Sequence, residues 1–319
     1  MKYCIQELKR HGKNAGTKAV RDVAQILSSH GYQNVNIIGK FPFLSLLKLY
    51  CILKQGDIVV VQWPFYGFFA DWMFKVIKNK QTRLILLLHD INSVRNIKNK
   101  NLVEDNLLTY AEKVVVHSEA MKLLLERAGF DSSKMSVLTS FDYLTNDTFV
   151  RRQYSSTVVY AGNLTKSVFL QNIPKECFGV RLNCYGLPVG VIPQYLTYKG
   201  AFMPENVSII EGSWGLVWDG DSENTCSGNY GEYLKINAPH KVSLYIVAGL
   251  PIIIWQKAAL AKYVVDNNLG IAIESLNDLS VAISSVSIER YNAMVNAIER
   301  EANVLKTGGH LLTVIYLDC

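Results

Sequence analysis

The residues best suited to chemistry lie within seven positions, Asn237-Ala-Pro-His240-Lys241-Val-Ser243. Asn237 has the side chain of a helix cap, and Pro239 is tolerated in a first turn whose N–H groups lack intrahelical partners. His240 and Lys241 then fall in that first turn. A helix already presents roughly half a positive charge there, so stability alone would favour carboxylates. Unpaired N–H groups, a lysine, a histidine and the Ser243 hydroxyl at one spot suit a phosphate or diphosphate. The bland alternative is a surface helix with two solvated cations. Gly249 supplies a left-handed exit, Pro251 prevents continuation, and Ile252 to Trp255 reads as a short buried strand, which places the cations at a sheet-edge crevice.

Other polar groups follow apolar runs. His89-Asp90 closes Leu84 to Leu88, with Arg95 nearby, and a carboxylate or imidazole there suits a general base. The competing reading makes Asp90 a helix cap and leaves His89 satisfied by backbone. His117-Ser118-Glu119 reads as a helix start. Asp219-Gly220-Asp221 ends the run Leu216 to Trp218 and is either a carboxylate pair for a divalent ion or ordinary turn chemistry. The turn reading is preferred, and no metal is assigned. The polar loop beyond it carries glycines expected to act as hinges that close over a ligand. Gly12 and Gly16 bracket Asn14 before Thr17-Lys18, but lysine and hydroxyl are in the wrong order for a Walker loop. What remains is a polar strand-to-helix loop, from which Asn14, Gly16 and Thr17 are expected to reach a cleft, unless the glycines serve only the turn.

The pattern N-x-P-H-K-x-S-x-Y-x-x-A-G-L-P-x-I-x-W at Asn237 to Trp255 resembles the donor-site motif of bacterial GT-B glycosyltransferases. The likeness is to the group of β-1,6-galactofuranosyltransferases and the glucosyltransferase 3 enzymes of serine-rich-repeat adhesins. His89-Asp90-x-x-x-x-Arg95 and Tyr160-Ala-Gly162-Asn163-Leu-x-Lys166 resemble further segments of that group. The resemblance implies a UDP-sugar whose diphosphate is held by the Pro-His-Lys helix, with Gly162, Asn163, Asp219, Gly220, Asn237, His240, Lys241 and Ser243 on the donor side. It implies Asp90 and His89 as catalytic groups, transfer of a hexose (glucose, galactose or galactofuranose) to a glycan, glycoprotein or lipid-linked acceptor, no cofactor, no metal, and a homo-oligomer. A non-catalytic partner subunit and a nucleotide-sugar epimerase on the same fold are the alternatives.

The elements that must position these groups are legible in outline. With 319 residues and 49% hydrophobic content, the chain can bury two cores of about 150 residues each. Strand signals recur at Tyr3–Ile5, Val35–Ile38, Asp57–Gln62, Leu84–Leu88, Lys113–His117 and Met135–Thr139. They resume at Thr157–Ala161, Val180–Tyr185, Val207–Ile210, Leu216–Trp218, Ile252–Trp255 and Ile271–Ile273. Continuous apolar runs such as I-V-V-V indicate strands covered on both faces, the habit of parallel α/β sheets. The expectation is α/β, GT-B: a Rossmann-like acceptor-side domain over 1–150 facing, across a cleft, a nucleotide-sugar domain over 151–319. The linker is placed at Arg151 to Ser156, and the last helix is expected to return to the first domain.

Composition narrows the partners. Residues 1–150 hold 20 Lys/Arg against 13 Asp/Glu, net +7, and the remainder holds 13 against 14, net −1, giving +6 in all. No basic stripe interleaved with aromatics accompanies the excess, so nucleic acid is not expected. An anionic acceptor or membrane headgroups suit it better. Six scattered cysteines without a C-x-x-C pair fit a reducing compartment, and no apolar run reaches the ~18 residues of a span. The location expected is cytoplasmic, at the inner face of a membrane if peripheral contact is made. The aromatic segment Trp63 to Phe74 either lines core, stacks on acceptor sugars or touches lipid.

Overall fold

The computed structural model describes residues 1–7, 15–37, 42–64, 69–91, 102–173, 179–187 and 193–316. The chain divides into two compact units, Met1–Gly12 with Gly16–Leu138 and Leu311–Cys319, and Lys13–Ala15 with Thr139–His310. Residues 139–156, including the expected linker, therefore group with the second unit. Ser140 and Phe141 are bonded there to Ser243, and Arg152 Nε donates to the Ala248 carbonyl at 2.9 Å.

The first unit is built from β1 (Lys2–Glu7), α1 (Ala15–Ser29), β2 (Gln33–Ile37), α2 (Pro42–Ile52), β3 (Ile58–Trp63), α3 (Phe69–Asn79), β4 (Arg83–Leu88), α4 (Leu102–Tyr110), β5 (Lys113–Val116), α5 (Glu119–Arg127) and β6 (Met135–Val137). All strand pairs are parallel, in the order β2-β1-β3-β4-β5-β6. The apolar runs of β3 and β4 are buried along nearly their whole length, as double-sided cover requires. Trp63, Phe69, Met73 and Phe74 are core residues, so these parts of the aromatic segment are packing; among its described aromatic residues only Trp72 is exposed, and Phe65, Tyr66 and Phe68 lie outside the described residues.

The second unit holds β7 (Thr157–Ala161), β8 (Arg181–Tyr185), β9 (Leu196–Gly200), β10 (Trp214–Val217), α6 (Gly228–Leu234), α7 (His240–Val247), β11 (Ile252–Trp255), α8 (Ala261–Asp266), β12 (Gly270–Ile273), α9 (Leu279–Ser284), α10 (Ile288–Lys306) and the start of α11 (Gly309–Val314). Its sheet is parallel, in the order β12-β11-β10-β7-β8-β9. Renumbered from β7, this is the doubly wound 3-2-1-4-5-6 arrangement, whose ligand crevice lies where the order reverses, between β7 and β10. Gly308, at φ 82°, separates α10 from α11.

Three local expectations are corrected. Val207–Ile209 is a 3-10 turn and not a strand, and β9 supplies the outer strand in its place. Lys257 to Asp266 reads in the sequence as one helix, but the helix begins only at Ala261, after a turn. Asn237 does not cap α7, because Pro239 occupies the cap position in extended conformation and makes no side-chain cap bond.

Candidate functional site

β7 and β10 pair only through Trp214↔Val158 and Gly215↔Val159 before their carboxyl ends part. The Tyr245 side chain of α7 fills the place where the ladder stops. Its hydroxyl accepts the Ala161 N–H at 2.8 Å and donates to the Leu216 carbonyl at 3.1 Å. The ring lies on Gly215, where a Cβ would come within 2.3 Å of it. Burial pushes the phenol well above its ordinary range, so the group stays a neutral bridge.

One turn earlier on the same helix face, Lys241 enters the gap. Its Nζ donates to Asp219 Oδ1 at 2.6 Å, to the Tyr160 hydroxyl at 3.1 Å and to the Trp218 carbonyl at 3.1 Å. Three donors meet three acceptors, so the ammonium is held in place from the strand ends. Burial opposes its charge, but Asp219 and the two tyrosines Tyr160 and Tyr245 outweigh that and raise its pKa. Tyr160 is pushed up to about 12, chiefly by burial. The lysine read from sequence as a solvated or ligand-seeking cation is therefore one half of a partly buried ion pair. The Gly162 turn lies against the lysine stem, where a Cβ would stand 3.4 Å from Lys241 Cε.

The remaining donor-side residues take distinct places. Asn163 is exposed, and its Oδ1 accepts the Thr165 N–H at 3.0 Å in an Asx turn. Gly220 has φ 116°, and a Cβ there would meet the Ser227 carbonyl at 2.3 Å. His240 stacks on Phe141, with ring centroids 4.6 Å apart. Ser243 is buried and donates to the Phe141 carbonyl at 2.6 Å, so its hydroxyl fastens the 139–143 segment to α7. Asn237 Oδ1 is buried with no hydrogen-bond partner among the described residues.

The loop after Asp219 is stitched rather than hinged. Trp218 Nε1 donates to the Ser222 carbonyl at 3.0 Å, Leu276 N–H donates to the Glu223 carbonyl at 2.8 Å, and Cys226 is buried. Its glycines serve close packing: a Cβ on Gly228 would strike the Asp221 carboxylate at 2.4 Å. A polar recess of about 470 Å³, lined in part by Arg181, Asn183, Thr197 and Lys199, opens at the amino ends of these strands, the opposite edge from Lys241.

The first unit assembles a second group of polar residues at its own point of strand reversal, between β1 and β3. Gln62 is buried, and its Nε2 lies 3.2 Å from the Val20 carbonyl, 3.4 Å from Gln6 Oε1 and 3.4 Å from Cys4 Sγ. Its Oε1 faces His89 Nε2 at 2.8 Å, which puts the proton on Nε2 and the imidazole lone pair on Nδ1. His117 is buried, donates Nε2–H to the Leu88 carbonyl at 2.6 Å, and is lowered to about 4 by burial, against the opposing Leu88 bond and Asp90 charge. Ser118 caps α5 by accepting the Met121 N–H, as the helix-start reading expects. Asp90 is partly buried. Gly16 and Thr17 lie in the first turn of α1, Gly16 exposed and Thr17 half-buried, whereas Asn14 and Arg95 lie outside the described residues.

Sequence reasoning found Lys241 and missed Tyr160 and Tyr245. The signal for Tyr245 was its i+4 spacing from Lys241, which puts both on one face of the helix.

Comparison with known proteins bears on this arrangement. The sequence model of the glucosyltransferase 3-like N-terminal domain matches residues 2–139, and that of the C-terminal domain matches residues 158–316. The chain belongs to the glucosyltransferase 3-like family. It is 29% identical to the β-1,6-galactofuranosyltransferase WbbI of Escherichia coli K12, across 98% of this chain and 97% of that protein. It is 25% identical to glucosyltransferase 3 of Streptococcus gordonii, over 79% of this chain and 76% of the relative. Among solved structures it is similar to Anabaena HepE in complex with UDP and glucose, with a TM-score of 0.61, 11% identity and 98% of each chain covered. The apo lipopolysaccharide outer core galactosyltransferase WaaB superposes with a TM-score of 0.58 at 13% identity, covering 99% of each chain. The family member thus has the GT-B fold expected from its sequence, with two Rossmann-like units.

Proposed function

We propose that this glycosyltransferase moves a hexose, glucose or galactose/galactofuranose, from a UDP-sugar to a hydroxyl of a glycan, glycoprotein or lipid-linked acceptor in surface polysaccharide or adhesin glycosylation. The observation that carries the reading is the Lys241–Asp219 pair at the β7/β10 reversal, beside the first turn of α7. A diphosphate leaving group gains negative charge as the sugar departs; the helix N-terminus presents its dipole there, and Lys241 reaches the diphosphate by exchanging one of its three present acceptors for a phosphate oxygen. Gly162, lacking a side chain, keeps the entrance to that charge open. Asn237 offers its buried Oδ1 to a nucleoside hydroxyl, and the relatives named for galactofuranosyl and glucosyl transfer support the class of sugar.

The acceptor's proton goes to Asp90 in this reading, with His89 beside it and oriented by Gln62. Neither metal nor cofactor is needed: the Asp219 carboxylate, half of the Asp-x-Asp pair, is engaged by Lys241. A homo-oligomer, cytoplasmic placement and peripheral contact with the inner face of a membrane complete the proposal. The test is thermal stabilisation by a UDP-, GDP- and TDP-sugar panel, followed by UDP release with mixed acceptors in EDTA. UDP-sugars should stabilise the chain by about 2.7 kcal/mol at 100 times their dissociation constant. An enzyme inert in EDTA and restored by Mn²⁺ would move the chemistry to Asp219 and Asp221, and binding without turnover would make the chain a partner subunit.

A further inference from the structure

Two neighbouring helices of the first unit carry a surface that their own packing does not use. In α2, Leu46 and Leu49 turn into the core, yet Phe43, Leu44, Leu47 and Tyr50 are 67%, 69%, 61% and 50% exposed. A helix apolar nearly all round is ordinarily covered on all sides. α3 packs beside α2 and adds Trp72, 51% exposed. Large apolar side chains standing singly on a surface need no account, but five on adjoining helices do.

The charges on these helices are mostly positive. Lys48, Lys75 and Lys78 occupy these helices and Lys80 follows, against the single acid Asp71. Lys75 Nζ lies 5.0 Å from the centroid of the Trp72 ring, and Lys80 Nζ lies 3.8 Å from that of Tyr50. The two ammonium groups therefore lie over the faces of these aromatic rings.

We propose that this α2–α3 face docks on a bilayer surface bearing anionic headgroups, with Phe43, Leu44 and Leu47 entering the headgroup–acyl boundary and Trp72, Tyr50 and the lysines at headgroup level. A second copy of the chain fits less well. A two-fold contact through this face would set lysines against lysines, with one Asp71 per copy to offset them. The inference deepens the peripheral contact in the reading above and rests on it only for a lipid-linked acceptor within reach.

The test is sedimentation of the full chain with vesicles of phosphatidylglycerol and phosphatidylethanolamine, against phosphatidylcholine alone, with UDP affinity and oligomeric state measured on the same samples. The chain should follow the anionic vesicles and be released by salt. Leu44→Glu/Leu47→Glu should lower partitioning at least about tenfold, and Lys75→Glu/Lys80→Glu should lower it and flatten the salt dependence, both with UDP affinity unchanged. If the first variant does not fold, Leu44→Ser/Leu47→Ser gives the same reading on a smaller scale. Absence of vesicle binding, or equal binding by folded variants, overturns the docking and leaves the donor site standing. A wild-type dimer that becomes monomeric in Leu44→Glu/Leu47→Glu, without vesicle binding, overturns it in favour of self-association. Failure of the wild type to bind UDP sinks the donor reading instead.

Discussion

At the reversal of strand order the first sheet uses Gln62 and the second uses Tyr245, each reaching between strands whose ladder has just ended. Both sheets reverse their strand order there, but the groups gathered at the two reversals differ. In the first unit two buried groups near this point are held uncharged, Cys4 pushed up to about 12 and His117 down to about 4, both by burial. Around Tyr245 an ammonium and a carboxylate are paired. In the proposed function one fold type serves both the acceptor and the donor side, because the crevice at a strand reversal fixes where groups converge and leaves open what they are.

The largest effect expected from breaking this contrast is on turnover. Asp90→Asn keeps size and removes basicity, so kcat should fall by roughly 10² to 10⁴ with UDP affinity unchanged. A variant that melts lower but turns over normally per folded molecule would return Asp90 to a capping role.

Next comes acid. His117 has a folded pKa below its ordinary 6.5, so its neutral form contributes stability that is present above pH 6.5 and lost as pH falls toward 4. The first unit should lose up to roughly 3 kcal/mol across that window. Urea unfolding at a series of pH values measures it, and His117→Gln should flatten the profile while the second unit is unaffected.

Lys241→Ala strips Asp219 of its counter-charge and should cost about 2 kcal/mol in UDP binding and a similar amount in melting of the second unit. The fold should survive, since both partners retain some solvent contact. Calorimetric titration alongside a thermal melt checks both, and full affinity in a destabilised protein would leave the lysine a purely architectural role. Tyr245→Phe is the smallest perturbation. It removes one hydroxyl from two backbone bonds and should cost about 1 to 2 kcal/mol, read as a lower melting temperature of the second unit.

The order of helices and strands was legible because apolar runs between polar loops leave little choice in a parallel sheet. α1 spans Ala15–Ser29, the interval its amphipathic spacing indicates. β9 was not legible, because an outer strand with Thr197, Tyr198 and Lys199 exposed has no buried run to announce it. Val207–Ile210 misled for the converse reason, being apolar enough for a strand while its turn leaves Ile209 exposed. The Lys241 anomaly was visible in sequence as a cation at the wrong end of a helix. Its resolution by Asp219 was not, since the partner lies 22 residues earlier at the end of another element and only the fold brings them within 2.6 Å. The α2 surface escaped notice because an apolar helix looks buried until its neighbours are known.

The bond from the Ala161 amide to Tyr245 has a use beyond architecture. In most of a sheet, an amide is shielded from solvent hydrogen exchange by the next strand, so its exchange reports the opening of the sheet itself. The Ala161 N–H is shielded by a side chain carried on α7. Its deuterium uptake therefore reports the seating of that helix separately from the integrity of the strands, and a nucleotide that tightens the helix should slow this one proton while its neighbours along β7 exchange as before.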